Sequence, residues 1–176
     1  MSNTIGKEYT VTAFTLAGKR LLAVDDEPDV LKVAEEEVLS AYPDCKFDKA
    51  TTFEEGVKML TSKTYDLVIL DIMGVRGFEL LGRAVSRGFP TVMLTAHSLN
   101  PESFKRSIEM GARAYIPKEK IGEIVPFLEE ILQYENLPGW GHLYENLKEY
   151  FDKRWGEYWQ QSDEKFWKGF KDKIAG

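Results

Sequence analysis

The sequence predicts an α/β chain: a doubly wound, five-stranded parallel sheet followed by an α-helical extension. Three observations predict it. Short apolar runs alternate with helical patterns five times in succession, as β-α units do when helices cover both faces of a parallel sheet. Leu67-Val68-Ile69-Leu70 is apolar without a break, as a strand buried on both sides must be. Beyond Tyr134 the composition shifts, and all four tryptophans lie past that point.

Each element can be justified in order. Arg20 to Val24 reads as the first strand. Pro28 to Tyr42 then sets Val30/Leu31, Ala34, Val38 and Ala41/Tyr42 at helical spacing. Lys46 to Ala50 is a second strand and Phe53 to Leu60 a second helix. Tyr65 to Leu70 is the third strand, and Gly77 to Arg87 the helix after it, with Phe78, Leu80, Leu81 and Val85 apolar. Thr91 to Leu94 is the fourth strand. Asn100-Pro101 then supplies a cap and a first helical position, and Gly111 a stop. Ala114 to Pro117 is the fifth strand. Ile121, Ile124/Val125, Leu128 and Ile131/Leu132 form the last stripe, in which Pro126 is tolerable only near the helix start.

Polar groups end these strands: Asp25-Asp26, Asp71, Thr95 and Lys118. In an open parallel sheet, ligands bind beyond the carboxyl ends of the strands, so these residues are expected in one crevice. Clustered carboxylates repel one another and raise each other's pKa. A hard divalent cation removes that penalty, and Mg²⁺ takes one or two carboxylates plus phosphate oxygens and water. Asp25 and Asp26 suit the metal-holding role, Asp26 more directly. Asp71 can then act as a nucleophile that forms an acyl phosphate. Lys118 offers a mobile charge to phosphoryl oxygens, and Thr95 a hydroxyl donor. Singly, each residue has an ordinary reading: a solvated turn, a helix cap, a surface lysine, a β-branched strand residue. Their joint order favours the chemistry.

Val24-Asp25-Asp26-Glu27-Pro28, Leu70-Asp71, Leu94-Thr95-Ala96 and Tyr115-Ile116-Pro117-Lys118 resemble the receiver domain of two-component response regulators. The resemblance covers roughly Lys19 to Glu135 and implies a flavodoxin-like strand order, 2-1-3-4-5. It implies phosphotransfer onto Asp71 from a histidine kinase or phosphotransfer protein, with Mg²⁺, or Mn²⁺ in its place, on Asp25, Asp26, Asp71 and the Met73 carbonyl. It also implies a switch in which Thr95 moves toward the phosphoryl group, Tyr115 rotates inward, and the face of the fourth helix, fifth strand and fifth helix is remodelled. Met73 and His97 hold the positions that tune dephosphorylation in the family. Such a module signals through protein contacts and is not itself an enzyme.

Two departures from the family pattern stand out. The segment Asp71-Ile72-Met73-Gly74-Val75-Arg76-Gly77 is about two residues shorter than usual, with Val75 where a proline would be. Glu119 follows Lys118 where the family carries proline. A cis bond without proline costs about 2.5–4 kcal/mol, so a trans bond is expected there. Two rival readings remain: a pseudo-receiver that is never phosphorylated and serves as an interaction or dimerisation module, and an aspartyl-phosphate phosphatase. The latter would carry a second aspartate where Met73 stands.

Composition bounds the rest. The chain has 176 residues, a net charge of −6 and one cysteine, Cys45, which excludes an internal disulfide framework and reads as a buried small hydrophobe. No apolar run approaches the ~18 residues needed to span a bilayer, no signal peptide opens the chain, and the acidic balance argues against a nucleic-acid surface. A cytoplasmic location is expected. Residues 1–18 read as an added strand or an arm, 19–135 as the receiver, and 136–176 as the helical tail. In the tail, Asn136-Leu137-Pro138-Gly139 signals a turn. Apolar residues at 140, 143/144, 147, 150/151, 155 and 158/159 predict one long amphipathic helix, and Ser162-Asp163-Glu164 starts a short second helix carrying Phe166, Trp167, Phe170 and Ile174. Lysines and arginines balance acids there, and two helices are too few for an ordinary helix-turn-helix domain, so no DNA-binding output is expected. The aromatic side either packs back on the receiver as added core or forms a docking or dimerising surface. A homodimer through these helices, or through the fourth-helix to fifth-helix face, is the corresponding expectation. A membrane-surface helix is disfavoured, because its polar face lacks an excess of Lys and Arg.

Overall fold

Five parallel strands, β1 (Arg20–Val24), β2 (Lys46–Ala50), β3 (Leu67–Asp71), β4 (Thr91–Thr95) and β5 (Ala114–Pro117), pair in the order β2-β1-β3-β4-β5. This is the doubly wound, flavodoxin-like arrangement expected from the sequence. The computed structural model describes residues 16–96, 100–133 and 138–175. The expectations for residues 1–15, for His97 and for the Asn136-Leu137 turn lie outside the described residues, as do those for the side chains of Trp140 and His142.

Local chemistry explains where the elements begin and end. β3 and β4 are buried along their whole length, whereas the edge strand β2 is mostly exposed or half-buried. That accounts for the unbroken apolar run in β3 and the polar Lys46-Phe47-Asp48-Lys49 sequence in β2. Tyr65, read as part of the third strand, precedes it. Its ring meets Phe89 edge-on at 6.0 Å, and its hydroxyl donates to Asp48 at 2.8 Å. Helix α1 (Pro28–Ala41) starts on proline, α2 (Phe53–Ser62) is capped by Thr52, and α3 (Gly77–Ser86) starts at a left-handed Arg76. Asn100 caps α4 (Pro101–Glu109) by accepting the Ser103 N–H at 2.8 Å. A 3-10 turn over Lys118–Glu123 leads into α5 (Ile124–Gln133), where Pro126 falls in the first turn and breaks no hydrogen bond. No described peptide bond is cis, including the one after Lys118.

The tail departs from its expectation in one respect. Instead of one helix running on to residue 159, α6 (Pro138–Trp155) stops at Gly156, which takes the left-handed φ of +84° that glycine adopts without steric cost. The chain reverses there into a 3-10 turn, Trp159–Asp163, and then α7 (Glu164–Ala175). The reversal returns the Trp159 indole to α6, where its N–H donates to Asp152 at 2.9 Å. Helical periodicity alone runs straight through this point, because residues 158/159 continue the stripe in register.

The aromatic side of the tail packs back on the α/β domain. Phe104 of α4 sits in a nest of tail rings: Phe151 at 5.1 Å, Trp167 at 5.0 Å, Trp159 at 6.1 Å and Trp155 at 6.2 Å. Phe151, Trp167 and Phe170 are nearly fully buried, in one continuous core with β1, β3, β4 and β5. A Lys105–Asp163 ion pair ties α4 to the start of α7. Burial of several aromatic rings is the largest apolar contribution available to a segment this short.

Candidate functional site

The crevice lies at the C-terminal edge of the sheet, where β1, β3, β4 and β5 end. Asp25 follows β1 directly, Asp71 and Thr95 close β3 and β4, and Lys118 is the first residue after β5. Parallel register places these ends side by side: Val24 pairs with Leu70, Asp71 with Leu94, and Thr95 with Pro117. A residue spacing of nearly a hundred positions is thus closed to hydrogen-bond range by the sheet alone.

Three carboxylates converge here. Asp25, Asp26 and Asp71 each offer an oxygen within 4.8 Å of the other two. Asp25 and Asp71 are buried and Asp26 is exposed, so the cluster opens to solvent on the Asp26 side. Lys118 lies across it. Its Nζ is 2.8 Å from Asp25, 3.2 Å from Asp71 and 2.8 Å from Glu27. The contact with Asp25 Oδ2 is an ion pair by distance, though that oxygen meets no aligned hydrogen-bond donor. The other oxygen, Oδ1, accepts the Glu27 N–H at 2.9 Å.

The energetics follow from burial. Desolvation, and then the neighbouring Asp25, push the Asp71 carboxyl up to about 7 from an ordinary 3.8, against the pull of Lys118. Asp25 is also raised by burial, with Lys118 and the Glu27 amide opposing. Burial works against the Lys118 charge, but Asp25, Glu27 and Asp71 outweigh it and hold the ammonium above its usual range. One lysine therefore does not neutralise the site: a dense acidic cluster remains, with one face open. That donor set is hard, all oxygen and anionic, which is the chemistry of a site for a divalent cation such as Mg²⁺.

The short loop after Asp71 is built tightly around the cluster. Val75 donates its N–H to the Met73 carbonyl at 2.7 Å, a turn compact enough to bury Val75 completely while Met73 stays half exposed. Gly74 has φ +72°, and a Cβ there would fall 2.4 Å from the Asp26 carboxylate. Gly77 approaches more closely still: a Cβ would lie 2.0 Å from the Asp71 carbonyl oxygen. These two glycines are site residues to which motif reading gave no role, as is Glu27, which stood in the quoted motif without an assignment. Their signal was available in the loop that is two residues short, since a tighter turn needs positions without a Cβ. Gly74→Ala is expected to displace Asp26, lowering Mg²⁺ affinity about tenfold or more, and the strain of a side chain at this left-handed φ lowers the metal-free melting temperature as well. Titration calorimetry with Mg²⁺ measures the first and thermal denaturation the second.

Thr95 and Tyr115 lie behind the cluster. Thr95 Oγ1 is buried and has no partner in hydrogen-bond geometry, and burial raises the Tyr115 phenol above its ordinary range, with Ser103, the Asn100 backbone and Thr95 pulling the other way. Tyr115 is fully buried. Its hydroxyl meets Ser103 Oγ at 2.6 Å and accepts the Asn100 N–H at 3.3 Å, and its ring stacks on Phe104 at 5.0 Å. The sequence reading implied an inward rotation of Tyr115 on activation. Tyr115 is enclosed here by Phe104 of α4 and Phe151 of α6.

Comparison with known proteins agrees with this geometry. The sequence profile of the family described as "Response regulator receiver domain" matches residues 21–128, more than half of the chain. The chain is similar to "Two-component response regulator ARR18" of Arabidopsis thaliana, 37% identical over 107 residues that make up 57% of this chain and 16% of that protein. It therefore spans about one sixth of the length of that relative. Among solved structures it resembles the CheY-like response regulator receiver domain protein of Methanospirillum hungatei JF-1, with a TM-score of 0.55, 25% identity, and coverage of 67% of this chain and 98% of that one. It is also similar to the receiver domain of NtrX from Brucella abortus, with a TM-score of 0.56, 28% identity, and coverage of 64% and 98%.

Proposed function

The chain belongs to the response regulator receiver domain family, and from that premise we propose that it accepts a phosphoryl group on Asp71 from a histidine kinase or phosphotransfer protein and signals through protein contacts. The observation that carries this reading is the meeting of Asp25, Asp26 and Asp71 within 4.8 Å under a single lysine. The receiver comprises residues 19–135 and the tail 136–176 in this proposal.

Each residue has a chemical role. An Asp71 carboxylate oxygen attacks the phosphorus in line. A P–O bond forms while the bond to the donor's imidazole nitrogen breaks, with that electron pair returning to the donor. Lys118, already 3.2 Å from Asp71, neutralises a phosphoryl oxygen once the acyl phosphate stands there. The Thr95 hydroxyl, buried and without a hydrogen-bond partner, can turn to donate to a second oxygen without giving up an existing bond. Asp25, Asp26, Asp71 and the Met73 carbonyl are the residues that would hold Mg²⁺, or Mn²⁺ in its place, and the ion supplies charge neutralisation for the carboxylates and the incoming phosphoryl oxygens when bound.

Met73, whose side chain is exposed, and His97 are proposed to govern access of water to the acyl phosphate. Among the described residues no helix is long and apolar enough to cross a membrane, and a cytoplasmic setting is proposed for the phosphotransfer. The test is intact mass after incubation with Mg²⁺ and a small phosphodonor. One added phosphoryl group in the wild type, absent from Asp71→Asn and from samples with excess chelator, is the expected result. A wild type that stays unmodified under donors of several classes overturns the reading and leaves the pseudo-receiver.

A further inference from the structure

We propose that the aromatic tail is a built-in positioning element for the phosphoryl site, acting through Phe104 and Tyr115. The inference rests on the reading of Asp71 as phosphoacceptor and adds to it what this chain's own tail does there. A continuous line of contacts supports it. Lys118 touches Asp71 at 3.2 Å and stands three residues beyond Tyr115 on the path out of β5. Tyr115 stacks on Phe104 at 5.0 Å, and Phe104 is packed in turn by Phe151 and Trp167. Phe151 also reaches Tyr115 directly, at 6.2 Å between centroids.

The hydroxyl end of Tyr115 supplies the physical reason. It is held by Ser103 Oγ and the Asn100 amide, at the N-terminal cap of α4, which leaves Thr95 Oγ1 buried and unbonded. The site thus has a hydroxyl ready to turn toward the phosphoryl group, with the tyrosine already seated behind it. Seating costs side-chain entropy, and the tail rings offset that cost by burying the tyrosine and Phe104 almost completely. Interface rings on α6 and α7, with the Lys105–Asp163 ion pair, therefore favour the arrangement that accepts a phosphoryl group. Linkage then requires the converse: a phosphoryl group on Asp71 tightens the docking of the tail by the same factor.

Beryllofluoride with Mg²⁺, a non-covalent mimic of the aspartyl phosphate, gives the test on the full chain. In the wild type, saturating Mg²⁺–beryllofluoride is expected to slow amide hydrogen exchange in α6 and α7, and to shift the emission of the tail tryptophans with the same midpoint as binding. Trp167→Leu, which loosens the tail, is expected to weaken beryllofluoride binding about fivefold or more and leave Mg²⁺ binding alone near the wild-type value. A merely structural role would not separate the two ligands in this way. Lys105→Ala, at a half-exposed position, provides a milder variant with a smaller shift in the same direction. Unchanged exchange in the wild-type tail on beryllofluoride binding overturns the proposal without any variant, as does wild-type beryllofluoride affinity in Trp167→Leu. Failure of the wild type to bind beryllofluoride at all sinks the phosphoacceptor reading instead, so the two failures are distinguishable.

Discussion

Phe104→Ala is expected to cost about 3–5 kcal/mol of stability, the range for removing a buried phenylalanine, and to loosen the tail from the receiver. The side chain is 1% exposed and meets Tyr115, Phe151, Trp155, Trp159, Trp167 and Phe170 together. A void there cannot be filled by one neighbour, because rings from β5, α6, the 3-10 turn and α7 would have to shift together, and such sites relax poorly. Phe104→Leu keeps most of the volume and should cost less. Urea unfolding checks both: a shift in midpoint for Phe104→Ala no larger than that of a surface substitution would mean that the tail core contributes little. If the tail detaches before the receiver unfolds, tryptophan fluorescence and far-ultraviolet dichroism should separate in the alanine variant while coinciding in the wild type.

The second large effect is a loss of stability with rising pH in the metal-free protein. The folded Asp71 carboxyl sits at about 7 against an ordinary 3.8, so the fold prefers its protonated form. That contribution is complete below pH 4 and disappears as the pH climbs through 7. Integrated over this window it amounts to an order of 2–4 kcal/mol. Asp48, Asp152 and Asp163 run the other way, being lowered in the fold, but they act near and below pH 4 and leave the upper window to Asp71 and Asp25. Asp71→Asn cannot ionise and is expected to flatten the slope, making the metal-free variant the more stable protein at pH 8. Mg²⁺ should restore the wild type at pH 8 and do little at pH 5, since protons compete for the same oxygens. Thermal melts across pH 5 to 8, with and without Mg²⁺, decide this. A flat metal-free profile in the wild type would show that the cluster is not the strained acidic pocket described here.

Much of the fold was legible in particular residues. The unbroken Leu67–Leu70 run announced a central strand, Asn100-Pro101 announced the start of α4 by cap and ring geometry, and Asp71, Thr95 and Lys118 announced their own convergence by standing at strand ends. Each of these signals is local: a cap, a turn or a strand end is decided by residues within four positions. Gly156 was legible only in retrospect. A glycine within a helical stripe is compatible with either continuation or a stop, and what selects the stop is the gain from returning Trp159 to Asp152 and Phe104. Glu27, Gly74 and Gly77 escaped for a related reason. Their importance lies in what approaches them through space: Glu27 meets Lys118 from 91 positions away, and the two glycines show only indirectly, in a shortened loop that must close around Asp26 and Asp71.

The sequence by itself determined the alternation of strands and helices, the acidic strand ends, and an amphipathic aromatic tail, because hydrophobic period and turn chemistry are written residue by residue. Only the tertiary structure decided that the aromatic side turns inward onto Phe104 and Tyr115. An apolar helix face is equally content against its own receiver or against another chain. The choice rests on shape: the hollow around Phe104 is matched by rings from both α6 and α7, which the reversal at Gly156 brings to the same place.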